Sequence, residues 1–440
     1  MELKNLRQTL AAQALKRQME RAIKAESAPF KPPAMDAGRT ARQARERFEA
    51  MPQYQQIKIM QVGGDKLGVA SPFFRVHEGI AGATTRIGGR AYINYSSYNY
   101  LGMSGDPLVS ARAKEAIDQY GTSASASRAV AGERPIHRQL ERALADFYEA
   151  EDCVVFVSGY ATNVAAVSYL FGPGDLIVHD ELAHNSIAQG AQLSGAKRLI
   201  FPHNDWNALD ALLRRARREY RHALIAIEGI YSMDGDLPDL ERFVEVKTRH
   251  EAFLMVDEAH SLGVLGRTGR GIREHTGVPP GAIDLWMGTL SKTLAGCGGF
   301  IAGCQPMVEM LRASAPGFMY SVGIPPALAA ASLAALERLQ AEPERIAALQ
   351  THGKLFLDAA RAAGLNTGAS AGYSVIPVIT GSSLKAVHWS NALFEQGINV
   401  QPIFYPAVEE KTARLRFFIC STHQPEQIEH TIKIMAQLAQ

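Results

Sequence analysis

The sequence predicts an α/β protein in which a large domain with a mainly parallel sheet is followed by a smaller C-terminal α/β domain. From about Glu151 onward, short apolar runs alternate with amphipathic stretches, which is typical of parallel strands covered by helices. The chain has 440 residues, more than a single core usually serves. Its composition, 47% hydrophobic and 20% charged, is that of a globular protein.

Residues 1–72 are predicted to form an N-terminal arm. In residues 1–24, Leu3, Leu6, Leu10, Met19 and Ile23 recur at approximately helical spacing. Basic residues surround them, namely Lys4, Arg7, Lys16, Arg17 and Arg21. We therefore expect a basic amphipathic helix, which the prolines at positions 29, 32 and 33 interrupt before a polar, arginine-rich stretch continues to about Met60.

The large domain, expected over residues 73–340, contains five apolar runs that we interpret as strands. They are CVVFV (153–157), LIV (176–178), ALIAIE (223–228), FLMV (253–256) and LWM (285–287). Pro325 and Pro326 then open a long Ala/Leu-rich helix. The small domain, expected over residues 341–440, has two further strand candidates, SVIPVI (374–379) and LRFFIC (415–420).

Charge and cysteine content argue against several functional classes. A formal charge of +2 gives no global case for nucleic-acid binding. Cys153, Cys297, Cys304 and Cys420 lack metal-ligand spacing, so we expect no metal site and a reducing, cytoplasmic location. No run approaches the roughly 20 apolar residues that span a bilayer, and residues 1–24 do not resemble a secretory signal.

Polar residues that directly follow the predicted strands are candidates for a ligand site, because ligands bind at the carboxyl ends of parallel strands. Ser158, Gly159 and Tyr160 follow the first strand and lead into a helix whose free N–H groups suit a phosphate. Asp257 ends the fourth strand, with His260 three residues later. Each motif alone is ambiguous, since an aspartate at this place is as often a helix cap or a metal ligand.

Lys292 follows the fifth strand and lies among small residues. Most lysines are solvated charges, but a partly buried amine with a lowered pKa is able to form a Schiff base. His184, at or near a helix start, and Ser232, after the third strand, are further candidates that could equally be structural. Together the five motifs predict a ligand with a phosphate, a carbonyl and a basic ring nitrogen, which pyridoxal phosphate combines.

Nine further segments stand in one order along the chain, namely NYLG (99–102), YGTSASASR (120–128), HRQLE (137–141), SGYATN (158–163), DELAHNS (180–186), YSMDGD (231–236), VDEAHS (256–261), GTLSKT (288–293) and LRFFICSTHQPEQI (415–428). In these segments, and from about Phe73 to near its end, the chain resembles the α-oxoamine synthases, a family of fold-type I pyridoxal-phosphate enzymes. The resemblance implies the fold-type I transferase fold. It also implies condensation of an amino acid with an acyl thioester, giving an α-aminoketone, carbon dioxide and free thiol.

The resemblance assigns roles around the cofactor ring. It implies that Lys292 is the Schiff-base lysine and also removes the amino-acid Cα proton, while Asp257 keeps the pyridine nitrogen protonated. His184 is implied on the face of the ring, as a hydrogen-bond donor to the developing oxyanion. His260 and Ser232 are implied near the phenolic oxygen.

The phosphate and the substrates receive further residues by the same comparison. Thr289 and the turn at 158–160 are implied at the phosphate, and Ser321 reaches the phosphate from the other subunit of a homodimer with interfacial sites. Arg416 is implied to bind the amino-acid carboxylate, with Asn99 as a second contact and Ser127 as a further substrate-binding residue. Positions 123, 125 and 126 lack the glycines common in the family, which leaves the choice of amino acid open.

Two alternatives to this reaction remain. An aminotransferase or amino-acid lyase on the same fold would share Lys292 and Asp257, but it would not need the HRQLE and YGTSASASR segments. A pyridoxal-phosphate-binding regulator would add a helix-turn-helix module, for which the N-terminal arm is too short and too interrupted by proline.

The acyl donor is the last open question. The stretch SPFFRVHEG and its continuation to NYLG (71–102) is similar to synthases associated with polyketide assembly lines. An acyl carrier protein is therefore a candidate partner beside coenzyme A, and the basic helix of the arm could steer that acidic protein. The alternative is that this helix braces the dimer or is simply solvated.

Overall fold

The computed structural model describes residues 37–55, 57–58, 70–405 and 407–440. The chain divides into two compact units, residues 1–70 and residues 71–440. In the first unit, helix α1 spans Ala37–Glu49 and carries two exposed ion pairs, Arg42–Glu46 and Arg45–Glu49. The basic helix predicted over residues 1–24 lies outside the described residues, so it stays a prediction.

The strands of the second unit form three sheets. In chain order they are β1 (Thr84–Ile87), β2 (Arg90–Asn94), β3 (Asp152–Phe156), β4 (Leu176–Asp180), β5 (Lys197–Phe201), β6 (Ala223–Glu228), β7 (Phe253–Asp257), β8 (Leu285–Thr289), β9 (Gly299–Gly303), β10 (Val375–Ile379), β11 (Ile398–Asn399), β12 (Gln401–Ile403) and β13 (Arg414–Phe418). The large sheet has the order β3-β9-β8-β7-β6-β4-β5, and the small sheets have the orders β1-β2-β11 and β10-β13-β12.

The second unit has helices α2 (Pro107–Tyr120), α3 (Pro135–Tyr148), α4 (Gly159–Leu170), α5 (Asn185–Ser194), α6 (Trp206–Ala216), α7 (Leu240–Arg249), α8 (Ile272–Thr276), α9 (Gln305–Ser314), α10 (Pro316–Met319), α11 (Pro326–Ala341), α12 (Pro343–Ala362), α13 (Ser383–Glu395) and α14 (Pro425–Ala439). Helices α4 to α9 each follow a strand of the large sheet. Helix α11 is the predicted Ala/Leu-rich helix, and it begins at Pro326 as expected. Among the described residues, no helix combines the length and apolarity that crossing a bilayer requires.

The large sheet confirms the predicted mainly parallel architecture. Five of its strands, β3, β4, β6, β7 and β8, coincide with the predicted apolar runs within one or two residues, and β9 runs antiparallel to both of its neighbours. The prediction missed β5 because this edge strand, KRLIF, is mostly accessible and begins with two charged residues. It missed β9 because GFIAG is short and contains two glycines.

The two small sheets join distant parts of the chain. Strands β10 and β13 are the two strands predicted near the C-terminus, and they pair antiparallel; β13 ends at Phe418, two residues before the predicted end. Strand β2 pairs in parallel with β11, so residues 93–94 lie beside residues 398–399. This pairing brings the segment before the large sheet next to the C-terminal region. The predicted division at residue 340 stays a prediction.

Candidate active site

Charged side chains meet at the carboxyl ends of three adjacent parallel strands. Glu228 ends β6 and Asp257 ends β7, and the two residues are register partners. Thr289 ends β8, and Lys292 follows three residues later. Because neighbouring parallel strands end at the same edge, residues far apart in sequence form one cluster here. The structure thus brings Lys292 and Asp257 together as predicted.

Lys292 is a partly buried amine next to charges of both signs. Burial lowers its pKa from the usual 10.5 to about 8, although the carboxylates of Asp257 and Glu228 act to raise it, and Arg416 lowers it further. Its Nζ atom lies 5.5 Å from the centroid of the Tyr98 ring. An amine with this pKa is partly uncharged near neutrality, as a nucleophile and a base must be.

Asp257 is buried, and each of its two carboxylate oxygens accepts a hydrogen bond. Oδ2 accepts a hydrogen bond from Asn163 Nδ2 at 2.8 Å, and Oδ1 accepts one from Ala259 N at 3.0 Å. Asn163 also donates to Ser186 Oγ at 2.9 Å, and its own Oδ1 is buried without a hydrogen-bond partner among the described residues. The carboxylate is therefore fixed in orientation, as a partner of a cofactor ring nitrogen has to be.

Glu228 is a site residue that sequence reasoning missed. Its Oε1 accepts the backbone N–H of His184 at 2.6 Å, and its Oε2 accepts the backbone N–H of Ser232 at 3.2 Å. Burial, reinforced by the neighbouring Asp257, raises the pKa of Glu228 well above its usual value. One carboxyl group therefore links the two loops that carry His184 and Ser232. The feature of the sequence that could have identified it is a glutamate at the end of an apolar run.

His184 caps the N-terminus of α5 and is partly buried. Its Nδ1 accepts the Ser186 N–H at 3.3 Å, so the neutral ring carries its proton on Nε2. Burial lowers the pKa of His184, and the positive charges of Lys292 and Arg416 also lower it, although Asp257 raises it. The Tyr160 ring meets the imidazole edge-on at a centroid distance of 6.3 Å. A neutral imidazole with a free Nε2–H can donate one hydrogen bond to a ligand.

His260 belongs to the same cluster of side chains at the carboxyl ends of the strands. Its Nδ1 is 2.7 Å from the Tyr100 hydroxyl, and its ring stacks on Phe418 at a centroid distance of 6.4 Å. Burial holds the pKa of His260 well below its usual value, with the charges of Lys292 and Arg416 adding to the effect. His260 is therefore neutral, and Tyr100 is a hydroxyl partner that sequence reasoning did not name.

Arg416, in β13, approaches the cluster from a small sheet. Its Nη1 donates to the Ser232 carbonyl oxygen at 3.0 Å, and its guanidinium carbon lies 4.7 Å from the centroid of the Phe418 ring. Its Nε is buried and has no hydrogen-bond partner in the described part of the chain. A guanidinium with an unused donor suits a carboxylate ligand, because planar N–H groups bind carboxylates in pairs.

A cavity of about 340 Å³ opens onto Lys292 and is lined by Tyr98, Asn99 and Ser291, among others. The Asn99 side chain is engaged within the protein, since Oδ1 accepts the Ser104 N–H at 3.1 Å and Nδ2 donates to Ala81 O at 3.5 Å. Tyr98 is the residue whose ring faces Lys292. Sequence reasoning named Asn99 and passed over its neighbour, because the facing ring depends on the tertiary structure.

A larger cavity of about 660 Å³ lies at the opposite edge of the large sheet. It is lined by Phe253, Leu285 and Trp286, at the amino ends of β7 and β8. It contains none of the predicted site residues. The smaller cavity at the carboxyl ends is therefore the candidate site.

The predicted phosphate turn and Thr289 are neighbours. Ser158 caps α4 by accepting the Ala161 N–H at 3.4 Å. A Cβ atom at Gly159 would lie 2.8 Å from Thr289 Oγ1, so only glycine allows this close approach. Helix α4 has 12 residues, and its N-terminus supplies the free N–H groups and the positive end of the helix dipole that bind a phosphate.

Ser127 and Ser321 lie apart from this cluster. Ser127 Oγ donates to the Met319 carbonyl oxygen at 2.7 Å, and Ser321 follows α10 and lines a small cleft with Arg128. Within the described part of this single chain, neither residue contacts Lys292, Asp257 or His184. Their predicted roles, which involve a second subunit for Ser321, remain predictions.

The segments YGTSASASR and HRQLE meet in a buried ion cluster. The Arg128 guanidinium donates to Glu141 Oε1 at 2.6 Å and to Glu133 Oε2 at the same distance. Glu141 is fully buried and forms two further ion pairs, one with Arg138, whose Nη1 lies 2.9 Å from Glu141 Oε2, and one with Arg312. His137 Nε2 lies 2.8 Å from the Ile324 carbonyl oxygen. These two segments therefore anchor the scaffold around β3 and the residues before α11.

The side chains described above fit pyridoxal phosphate. Lys292 offers an amine of lowered pKa, and Asp257 offers a carboxylate of fixed orientation. The turn at 158–160 offers backbone N–H groups for a phosphate, at a place where a Cβ atom on Gly159 would be too close to Thr289. These are the three complementary groups that the cofactor requires.

Comparisons with known proteins agree with this fit. The family model "Aminotransferase class I and II" matches residues 90–435. An 8-amino-7-oxononanoate synthase of Fervidobacterium nodosum is 40% identical over 361 residues, 81% of this chain and 91% of the relative. One of Beijerinckia indica is 39% identical over 352 residues, 80% of this chain and 89% of the relative.

Solved structures give the same result. Serine palmitoyltransferase of Sphingomonas wittichii superposes with a TM-score of 0.85 at 31% identity, covering 89% of this chain and 98% of that one. An 8-amino-7-oxononanoate synthase of Francisella tularensis superposes with a TM-score of 0.69 at 26% identity, covering 79% and 98%. These findings confirm the predicted fold-type I fold and its dependence on pyridoxal phosphate. The chain belongs to the aminotransferase class I and II family and, within it, to the α-oxoamine synthases.

Proposed function

We propose that this chain joins an amino acid to an acyl thioester with loss of carbon dioxide and releases an α-aminoketone and a free thiol. The observation that carries the proposal is that Lys292 lines the cavity and lies close enough to Asp257 and Arg416 for their charges to shift its pKa, in a chain 40% identical to an 8-amino-7-oxononanoate synthase. That name describes an amine and a ketone on adjacent carbons. When bound, pyridoxal phosphate withdraws electrons from the amino-acid Cα and so allows a carbon–carbon bond to form there.

Nine residues of this chain would hold the cofactor. Lys292 would bind its carbonyl carbon, and Asp257 would pair with its ring nitrogen. His184 would cover the face of the ring, and His260 and Ser232 would lie near the phenolic oxygen. Thr289 and the turn formed by Ser158, Gly159 and Tyr160 would bind its phosphate. The burial of Asp257, His260, Ser232 and Thr289 supports this set, because an enclosed polar group strengthens each electrostatic contact.

Four side chains would act on the substrates. Arg416 binds the amino-acid carboxylate, with Asn99 as a second polar contact at the cavity. The Lys292 amine takes the Cα proton and later returns one to the same carbon. The His184 Nε2–H donates to the thioester oxygen as negative charge develops there. The new Cα–acyl bond forms as the carbon–sulfur bond breaks, and the carboxylate then leaves as carbon dioxide.

The test combines binding and product analysis. Purified protein loaded with cofactor is titrated with single amino acids while its visible spectrum is followed, and each amino acid that binds is incubated with acyl-coenzyme A donors. The expected result is free thiol and an aminoketone mass only when both substrates are present. Formation of a keto acid without thioester would instead show an aminotransferase, and amino-acid cleavage without thioester would show a lyase.

We also propose a homodimer with sites at the subunit interface, in which Ser321 reaches the partner's phosphate. The position of Ser321 outside the Lys292 cluster of its own chain supports this arrangement. The test mixes Lys292→Ala subunits with Ser321→Trp subunits, each inactive as a homodimer. Recovery of activity in the mixture is expected, because each mixed dimer has one site with neither substitution. No recovery from verified mixed dimers would contradict the shared site.

An acyl carrier protein is the donor we propose alongside coenzyme A. The basic residues predicted in helix 1–24 support it, since carrier proteins are acidic and long-range attraction of this kind weakens in salt. The test compares the two donors at one chain length, with and without residues 1–24, at low and high salt. Selective, salt-dependent loss of carrier-linked activity on truncation is expected. Equal loss of both activities would show that the segment braces the protein instead.

A cytoplasmic location is proposed as well. All four cysteines of the sequence are free, and two of them, Cys297 and Cys304, are exposed, which suits a reducing compartment. Cell fractionation with a tagged chain tests this proposal, and recovery outside the cytoplasm would contradict it.

A further inference from the structure

Two loops at the carboxyl ends of the large sheet carry residues of the proposed cofactor and amino-acid site. The first runs from Asp180, the last residue of β4, to His184. The second runs from Tyr231 to Asp236 and contains Ser232, whose carbonyl oxygen accepts the hydrogen bond from Arg416. Any group that ties these loops to each other also governs how His184, Ser232 and Arg416 are spaced.

His203 lies between the two loops and contacts a carboxylate on each. Its Nδ1 is 2.9 Å from Asp180 Oδ1, and its Nε2 is 2.8 Å from Asp236 Oδ2. A ring with a carboxylate at each nitrogen donates from both nitrogens, so His203 is an imidazolium ion. Burial acts to lower its pKa, but the hydrogen bonds and charges of Asp180 and Asp236 outweigh burial and raise the pKa to about 10.

Neighbouring groups reinforce this bridge. Asn204 donates from its backbone to Asp180 Oδ2 at 2.8 Å and from its side chain to Asp236 Oδ2 at 2.7 Å, so it spans the same two carboxylates. The Tyr231 hydroxyl donates to Asp180 Oδ2 at 2.9 Å, and its ring meets the His203 ring edge-on at 4.4 Å. The bridge is therefore one cluster in which the second loop also touches Asp180 directly.

We propose that His203 is a positioning residue of the active site: by bridging Asp180 and Asp236 it fixes the spacing of the loops that carry His184 and Ser232. Through the Ser232 carbonyl it also sets the position of the Arg416 guanidinium. His203 acts at a distance, because its hydrogen-bonding partners are Asp180, Asp236 and Glu181 rather than the Lys292 cluster. The inference rests on the proposed function in taking the amino-acid carboxylate as the ligand of Arg416.

The test uses a matched pair of substitutions, His203→Gln and His250→Gln. His250 is also a partly buried histidine that contacts a carboxylate, with Nε2 2.8 Å from Asp210 Oδ1, but it caps α7 away from the two loops. Glutamine removes the imidazole ring in both cases, and at His203 a single amide nitrogen cannot replace two donors on opposite sides of a ring. Thermal midpoints measure the structural cost of each change.

Two readouts need no turnover: the amino-acid dissociation constant from spectral titration of the cofactor-loaded enzyme, and the circular dichroism of the bound cofactor in the visible range. We expect His203→Gln to raise the dissociation constant about tenfold, which corresponds to ~1.4 kcal/mol, and to change the visible dichroism. We expect His250→Gln to leave both readouts within twofold even where its thermal midpoint falls equally.

An unchanged dissociation constant and dichroism in folded His203→Gln would overturn the inference. If that variant does not fold, Asp236→Asn weakens the same bridge from its other end and is measured in the same way. Failure of both variants to fold, while His250→Gln folds, would assign His203 a purely structural role and also overturn the inference. A wild-type enzyme that binds amino acids but makes no ketone would refute the proposed function alone, because the titration requires no thioester.

Discussion

The lowered pKa of Lys292 predicts how fast cofactor-free protein captures pyridoxal phosphate at each pH. Only the uncharged amine attacks an aldehyde, so the rate follows the deprotonated fraction. With a pKa of about 8, roughly one tenth of the amine is free at pH 7, against about 0.03% for an ordinary lysine. The burial of this one side chain thus increases the reactive form about 300-fold at neutrality.

The assay follows visible absorption after cofactor is mixed with cofactor-free protein between pH 6 and pH 10. For reference, the rate of Nα-acetyl-lysine is measured at each pH and divided by its own free-amine fraction. Each protein rate is then divided by this reference value, so that the ionisations of the cofactor itself cancel. We expect the corrected rate to rise about tenfold per pH unit and to level off above about pH 8. A rate that continues to rise through pH 10 would refute the reasoning, because it would show a lysine with its ordinary pKa.

Two substitutions that each remove one charge test the electrostatic cause. Asp257 raises the pKa of Lys292, whereas Arg416 lowers it. Asp257→Asn should therefore move the midpoint of the rate profile to lower pH, and Arg416→Gln should move it to higher pH. Shifts in the same direction would indicate that solvent access to the lysine had changed, and the charge argument would fail.

Three further predictions follow from the same contacts. Lys292→Ala should still bind pyridoxal phosphate noncovalently but lose the absorbance of the covalent form and all turnover. Normal turnover would contradict the assignment of Lys292 as the Schiff-base lysine. Arg416→Ala should weaken amino-acid binding by about 2–5 kcal/mol, measured by spectral titration, because the carboxylate loses its charged partner; an unchanged affinity would show that Arg416 is misassigned. Glu141→Gln should cost about 3–5 kcal/mol of stability, seen as a lower denaturation midpoint with an unaltered cofactor spectrum, because three arginines lose a buried anion. An unchanged midpoint would contradict the last prediction.

Much of the fold was predictable because its strands are buried on both faces. The first five residues of ALIAIE in β6 are all apolar, and such a run needs no partner to be recognised. Of the two missed strands of the large sheet, β5 is mostly accessible at the sheet edge, and β9 is buried but contains glycine at both ends. The pairing of β2 with β11 also could not be predicted from the sequence, because nothing local in either strand specifies a partner so distant in the chain.

The site also contains residues that the sequence predicts and residues that only the tertiary structure identifies. Lys292 and Asp257 were predictable because each is a charged residue at or just after the end of an apolar strand, where burying a charge is costly unless a partner or ligand compensates it. Glu228 occupies the same kind of position, yet its importance comes from two backbone N–H groups, those of His184 and Ser232, that only the folded chain brings to it. His203 carries even less local signal, since its two carboxylate partners belong to different loops. The residues that we propose to contact the cofactor can thus be predicted from strand ends, whereas the residues that hold them in place are defined by pairs of contacts between loops, and these pairs exist only in the tertiary structure.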